Sequence, residues 1–166
     1  MNCPVCQAKN FQGDDLCENC GADLRAADTP EPATSFRGPL LGIHLSELGA
    51  PAPRTVDASV DVVHVIERMH RENIDCVLVT DGGRLVGIFT DRDALLKLAG
   101  HAQEHRPISE LMTPDPVVLR RDDTIAVAIN KMAVGEFRHV AIVDDGRPIA
   151  VVSARDIFRH IATRLG

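Results

Sequence analysis

"CVLVTDGGRLVGIFTDRDAL", residues 76–95, decides the fold. Two apolar runs, "CVLVT" at 76–80 and "LVGIF" at 85–89, flank "DGGR", whose paired glycines suit the tight turn of a hairpin. The second run ends at Thr90, and Thr90-x-x-Asp93 has the spacing of a capping box, in which hydroxyl and carboxylate satisfy the orphan amides of a first helical turn. The stretch therefore predicts strand, turn, strand and helix. What it leaves open is whether Thr90 and Asp93 only start a helix or also grip a ligand.

Moving outward, Val62, Ile66 and Met69 recur at helical spacing, and a short strand is expected near residues 54–56. The helix after Thr90 is expected to bury Leu95 and Leu98. The whole pattern then recurs. Residues 45–103 lie on residues 108–166 without a gap, and the identities fall at structural positions: "SEL" at 46–48 and 109–111, Pro51 and Pro53 with Pro114 and Pro116, Gly83-Arg84 with Gly146-Arg147, Arg92 and Asp93 with Arg155 and Asp156. The second copy supplies a strand at 117–119, helical Ile125, Ile129 and Met132, the strands "HVAIV" and "PIAVV" around "DDGR", and a last helix after Ser153 that buries Phe158 and Ile161. The order β-α-β-β-α, twice, predicts a mixed α/β (α+β) fold. A unit of about sixty residues is marginal alone. The two are expected to pack their sheets about a pseudo-twofold axis, with two equivalent clefts.

Upstream, Cys3, Cys6, Cys17 and Cys20 form a C-x2-C-x10-C-x2-C array. Only Val5, Phe11, Leu16 and Leu24 are sizeable apolar side chains there, too few to offset chain entropy without a staple. Four thiolates around a tetrahedral zinc ion (Zn2+) supply one, and metal binding becomes the segment's folding free energy. A redox dithiol or an iron site is the alternative. The array resembles the short zinc ribbons at the start of many bacterial regulatory proteins. Its charges, Lys9 and Arg25 against Asp14, Asp15, Glu18 and Asp23, favour a protein partner over DNA phosphates. Residues 26–39, rich in proline, threonine and serine, read as a flexible linker with a reach on the order of 20 Å.

Bulk properties narrow the function. A net charge of −6 with five Phe and no Tyr or Trp argues against nucleic acid, which calls for basic patches and stacking faces. No apolar run approaches the roughly 18 to 20 residues of a membrane span, and "MNCPVCQAKN" lacks the pattern of a secretory signal. A cytoplasmic location with reduced cysteines is expected.

"PISELMTPDPVVL" at 107–119, "GEFRHVAIVDDGRPIAVVSARDIF" at 135–158 and their first-copy counterparts resemble a tandem pair of CBS domains, a Bateman module, over residues 40–166. The layout is then a ribbon at 1–25, a linker at 26–39, and repeats at 40–105 and 106–166. The resemblance implies clefts in which the hydroxyl and acid of a G-h-x-[ST]-x-x-D motif hold an adenosine-containing ligand such as AMP, ADP, ATP or S-adenosylmethionine, the acid taking the ribose diol. Matched to this sequence, those residues are Thr90 with Asp93 and Ser153 with Asp156; Arg138 and His139 match residues that meet phosphates. The segments ending at Val56 ("PRTV") and Val118 ("PDPVV") would read adenine through aliphatic and backbone groups. The chemistry agrees, since a carboxylate accepts both hydroxyls of a diol and a helix N-terminus accepts a phosphate.

The copies diverge where Arg138 and His139 are replaced by Asp75 and Cys76, and where Gly87 gives way to Ala150, so unequal sites are expected. The resemblance also implies a homodimer pairing through the CBS helices. The leading expectation is a non-enzymatic sensor of an adenine nucleotide or S-adenosylmethionine, with the ribbon relaying to a protein. The alternatives are a ligand-free interaction scaffold and a ribbon that binds nucleic acid under nucleotide control. No nucleophile and base arrangement supports an enzyme.

Overall fold

The computed structural model describes residues 2–3, 5–10, 15–24, 42–98 and 105–165. The expected linker at 26–39 lies outside them, as does Phe11. Among the described residues there are four α-helices and two sheets. The order is β1 (Thr55–Asp57), α1 (Val62–Glu72), β2 (Cys76–Asp81), β3 (Arg84–Thr90), α2 (Asp91–Leu98), β4 (Thr113–Pro114), β5 (Val118–Leu119), α3 (Ile125–Gly135), β6 (His139–Asp144), β7 (Arg147–Ser153) and α4 (Ala154–Leu165). Both ends of α3, β6 and β7 lie 63 positions beyond those of α1, β2 and β3. The mixed α/β fold and its duplication are as the sequence predicts.

The first sheet has the order β1-β2-β3-β4, and the second β5-β6-β7. β1 runs parallel to β2, because α1 carries the chain back between them; β2 and β3 are the antiparallel hairpin around Gly82 and Gly83, both at positive φ. Val77, Val79 and Phe89 point from the first sheet into a core with Val56, Val62, Val65 and Met69, while Leu78 and Ile88 point to the other face and meet Ala141. Asp61 starts α1 by accepting from the Val63 amide at 2.8 Å, and Thr124 starts α3 by accepting from Val127 at 3.4 Å.

The chain divides into two compact units, 51–118 with 141–151, and 1–50 with 119–140 and 152–166. In the first, the segment ahead of the second copy serves the first copy's core. Val62 N donates to the Arg106 carbonyl at 2.8 Å, Ile108 N to Val60 at 2.8 Å, and Ile108 and Leu111 are buried against α1 and the sheet, after which β4 joins β3. The other unit repeats the exchange. Ile125 N donates to Ile43 at 2.9 Å, Leu45 N to Asp123 at 2.8 Å and Ser46 N to Arg121 at 3.0 Å. The same unit holds the cysteine segment, whose Asp15 meets Lys131 of α3 at 2.7 Å; Lys131 is 5% exposed.

Three expectations about the core need correction. Leu95 and Phe158 are not buried but 73% and 70% exposed, with Leu96 next to Leu95 at 70%. The inward positions lie one residue earlier: Ala94 packs on the first core and Ile157 is buried. One residue is about 100° around a helix, enough to turn the next side chain to solvent. Ile161 is half-buried, and the Leu98 side chain is outside the described set. Ile129, expected on the inner face of α3, is exposed as well.

Candidate functional site: four thiols and two hydroxyl–carboxylate motifs

The cysteine segment is two copies of one knuckle. Cys3 N donates to the Ala8 carbonyl at 2.9 Å and Gln7 N to Cys3 at 2.9 Å; fourteen residues on, Cys17 N donates to Ala22 at 2.8 Å and Gly21 N to Cys17 at 2.8 Å. Bridges Asn2–Lys9 and Leu16–Asp23 close them. The turn after each C-x2-C pair needs a left-handed residue, supplied by Gly21 (φ 70°) in one and by Gln7 (φ 61°) in the other. Buried Asn10 ties the knuckles together, donating to Ala8 at 2.8 Å and accepting from the Glu18 amide at 3.1 Å.

This geometry converges all four sulfurs to within 4.8 Å of one another. Cys3 Sγ lies 3.7 Å from Cys20 Sγ, and Cys6 Sγ 3.6 Å from Cys17 Sγ. A tetrahedral ion with sulfur bonds of about 2.3 Å has edges of about 3.8 Å, so the set suits such an ion. The local field acts differently on these thiols. The Asn19 side chain and the Ala8 amide lower Cys6 to about 6. The Ala22 amide pulls the Cys20 thiol down, but the neighbouring Cys6 and burial outweigh it and push Cys20 up to about 12. Cys17 ends below its ordinary value, because the Cys20 and Asn19 amides overcome the upward push of burial.

The first hydroxyl–carboxylate motif sits where β3 runs into α2. Asp93 Oδ2 accepts from the Thr90 amide at 3.0 Å and the Thr90 hydroxyl at 2.7 Å, while the Asp93 amide donates back to Thr90 Oγ1 at 3.2 Å. This is the predicted box. Its other oxygen, Oδ1, accepts from Lys97 Nζ at 2.7 Å and Thr113 Oγ1 at 3.2 Å. Burial alone would raise the Asp93 carboxyl, but the bonds from Lys97 and Thr90 hold it below the usual carboxylate value. The second motif sits where β7 runs into α4. Asp156 Oδ2 accepts from the Ser153 amide at 2.9 Å and hydroxyl at 2.6 Å, and its amide donates back at 3.1 Å.

The remaining sequence candidates fall as follows. Arg138 is exposed, and its carbonyl accepts from Ala154 N at 2.9 Å, which seats it beside the second motif; His139 opens β6 half-buried. Val56 is buried in the first core, so its side chain faces the protein, whereas Val118 is exposed. Gly87 pairs with Pro114, and a Cβ there would overlap the Met112 side chain. Lys97 and Thr113 escaped the sequence reading. Only the i,i+4 spacing of Asp93 and Lys97 could have flagged one of them.

The family model of the CBS domain matches residues 45–100 and again 108–163. The chain belongs to the CBS-domain family. Among curated relatives, CBS domain-containing protein CBSCBSPB5 of Arabidopsis thaliana is 36% identical over 112 residues, covering 65% of this chain and 20% of that protein. The chain thus spans about a fifth of the length of such CBS relatives. Among solved structures, CBS-domain protein ATU1752 from Agrobacterium tumefaciens aligns with a TM-score of 0.65 at 28% identity, over 72% of this chain and 99% of that one. CBS domain protein PAE2072 from Pyrobaculum aerophilum, complexed with AMP, aligns with a TM-score of 0.64 at 24% identity, over 73% and 99%. At that identity the likeness concerns the CBS fold. Among the described residues no helix is long and apolar enough to cross a membrane.

Proposed function

We propose that this chain is a non-enzymatic regulatory protein that binds an adenosine-containing small molecule, AMP, ADP, ATP or S-adenosylmethionine, at its hydroxyl–carboxylate motifs. The carrying observation is that Ser153 and Asp156 sit together at the start of α4, with Arg138 seated beside them. A carboxylate for a ribose and, at the start of the same helix, a guanidinium for a phosphate are the groups such a ligand calls for. The AMP complex of PAE2072 supports the same ligand class.

Residues 1–25 hold a structural zinc ion through Cys3, Cys6, Cys17 and Cys20 and offer a surface to a protein partner. Two chains pair through α2 and α4, with Leu95 and Leu96 exposed on the one and Phe158 on the other. The protein works in the cytoplasm, where its five cysteines stay reduced.

A thermal-shift screen with AMP, ADP, ATP, NADH and S-adenosylmethionine tests the reading. A ligand that binds only the folded state adds about 2.7 kcal/mol at a hundredfold excess over its Kd, a shift of several degrees. No shift with any of them favours a ligand-free scaffold. One observation speaks for that second reading, since both motifs are complete helix caps without a ligand.

A further inference from the structure

The two motif carboxylates differ in what they still lack. An ionised carboxylate offers about four lone-pair directions. Asp93 has four donors on them: the Thr90 amide and hydroxyl on Oδ2, the Lys97 ammonium and the Thr113 hydroxyl on Oδ1. Lys97 is itself held, because its Nζ also donates to the Leu111 carbonyl at 2.8 Å. With the Asp93 side chain only 14% exposed, this ammonium is part of the fold and not a passing counter-ion.

Asp156 has two donors, the amide and hydroxyl of Ser153, both on Oδ2; its Oδ1 meets none among the described residues. The sequence explains the difference. At the positions 63 residues from Lys97 and Thr113, the chain carries His160 and Ala50. A ribose diol donates two hydroxyl hydrogens, the number of lone pairs that, among the described residues, Asp156 has open and Asp93 does not.

A second, independent difference runs the same way. Ala154 N seats the exposed Arg138 at the start of α4; in the first copy Asp91 N donates to the Asp75 carbonyl at 3.0 Å and seats an exposed acid at the start of α2. A phosphate attached to the ribose would meet a guanidinium beside one motif and a carboxylate beside the other.

The geometry points to Ser153 and Asp156 as the motif that takes the ligand, and to Lys97 as a built-in occupant that, with Thr113, closes the Thr90–Asp93 motif to a ribose. This rests on the adenosine reading above and sharpens it to one ligand per chain. Displacing Lys97 would break the attraction between two opposite charges, which a neutral ribose hydroxyl does not replace, and is unfavourable.

Titration calorimetry of the zinc-loaded full chain with AMP and with 2′-deoxy-AMP tests it. The wild type is expected to take one AMP per chain and to bind 2′-deoxy-AMP roughly tenfold more weakly or worse. Asp156→Asn should lose about as much for AMP and cease to distinguish the two nucleotides. Copying the first motif into the second, by Ala50→Thr with His160→Lys, leaves Ser153 and Asp156 in place and should abolish AMP binding with the melting transition retained; this pair carries the test should Asp156→Asn fail to fold. The reverse pair, Lys97→His with Thr113→Ala, should add a second site for adenosine, which brings no phosphate against Asp75. Two equal sites in the wild type, or undiminished binding in folded Ala50→Thr/His160→Lys, overturns the assignment and leaves the adenosine reading standing. No heat with AMP, ATP or S-adenosylmethionine overturns both.

Discussion

The chain contains two duplications, and they have opposite tolerances. In the cysteine segment a short knuckle recurs at an offset of fourteen residues so that four sulfurs meet at one point, and the copies must match in backbone to bring Cys3, Cys6, Cys17 and Cys20 within 4.8 Å. In the CBS pair a unit repeating every 63 residues is doubled around apolar cores, and its helices and strands match while its polar side chains have drifted: Lys97 against His160, Thr113 against Ala50, Asp75 against Arg138. A shared point where four sulfurs meet constrains both halves together. Separate cores constrain only shape, so charge and hydrogen bonding in each copy are free to specialise.

The strongest way to break this contrast is to remove the centre. Cys17→Ser, or a chelator, should unfold the ribbon as a whole, since structural zinc contributes about 10 kcal/mol or more to such a segment, while the CBS melting transition persists. Zinc content and far-ultraviolet circular dichroism read both. A ribbon that keeps its fold without metal would contradict the account.

The next test asks whether equivalent CBS positions are interchangeable. Gly87→Ala should cost about 1–3 kcal/mol, because the added methyl meets Met112, whereas Ala150→Gly should cost about 1 kcal/mol or less. Urea midpoints at constant m-value measure the difference.

Acid titration probes the Asp93 carboxylate. The Asp93 value is lowered in the folded state, so its contribution is full above the ordinary aspartate pKa of about 3.9 and is lost as pH falls through the lower folded value. The melting temperature should therefore fall more steeply as pH drops below about 4 in the wild type than in Asp93→Asn. Parallel curves would mean that Lys97 contributes nothing there.

The smallest effect tests the match between knuckles. Gln7→Gly relieves a left-handed residue and should tighten zinc binding by about 1 kcal/mol or less, with Gly21→Gln loosening it by a similar amount. Competition with a chromogenic chelator reads both.

Much of this architecture was legible because its signals are local. The hairpin turn, the helical spacing and the 63-residue offset each depend on neighbours in sequence, and α3, β6 and β7 begin where the offset puts them. The convergence of Cys3, Cys6, Cys17 and Cys20 was legible for the same reason. Lys97 and Thr113 were not, because Thr113 and the Leu111 carbonyl reach Asp93 and Lys97 only when the chain returns past α2. Leu95 and Phe158 were misplaced because periodicity tells which residues share a helix face, not which face a neighbour covers. Gln7 stayed hidden because a left-handed glutamine has no compositional mark.

The crossing of the segments at 42–50 and 106–118 bears on how such a protein can be taken apart. As a stretch of gene, one copy is a complete message. As a physical object it is not, because Ile108 and Leu111 fill the core built by α1 and β1–β3. A chain stopped at residue 105 would leave that core open and the outer edge of β3 bare, and the plug that fits it is another molecule's 106–118. Cut at its most obvious sequence boundary, the protein would make partners of its own fragments.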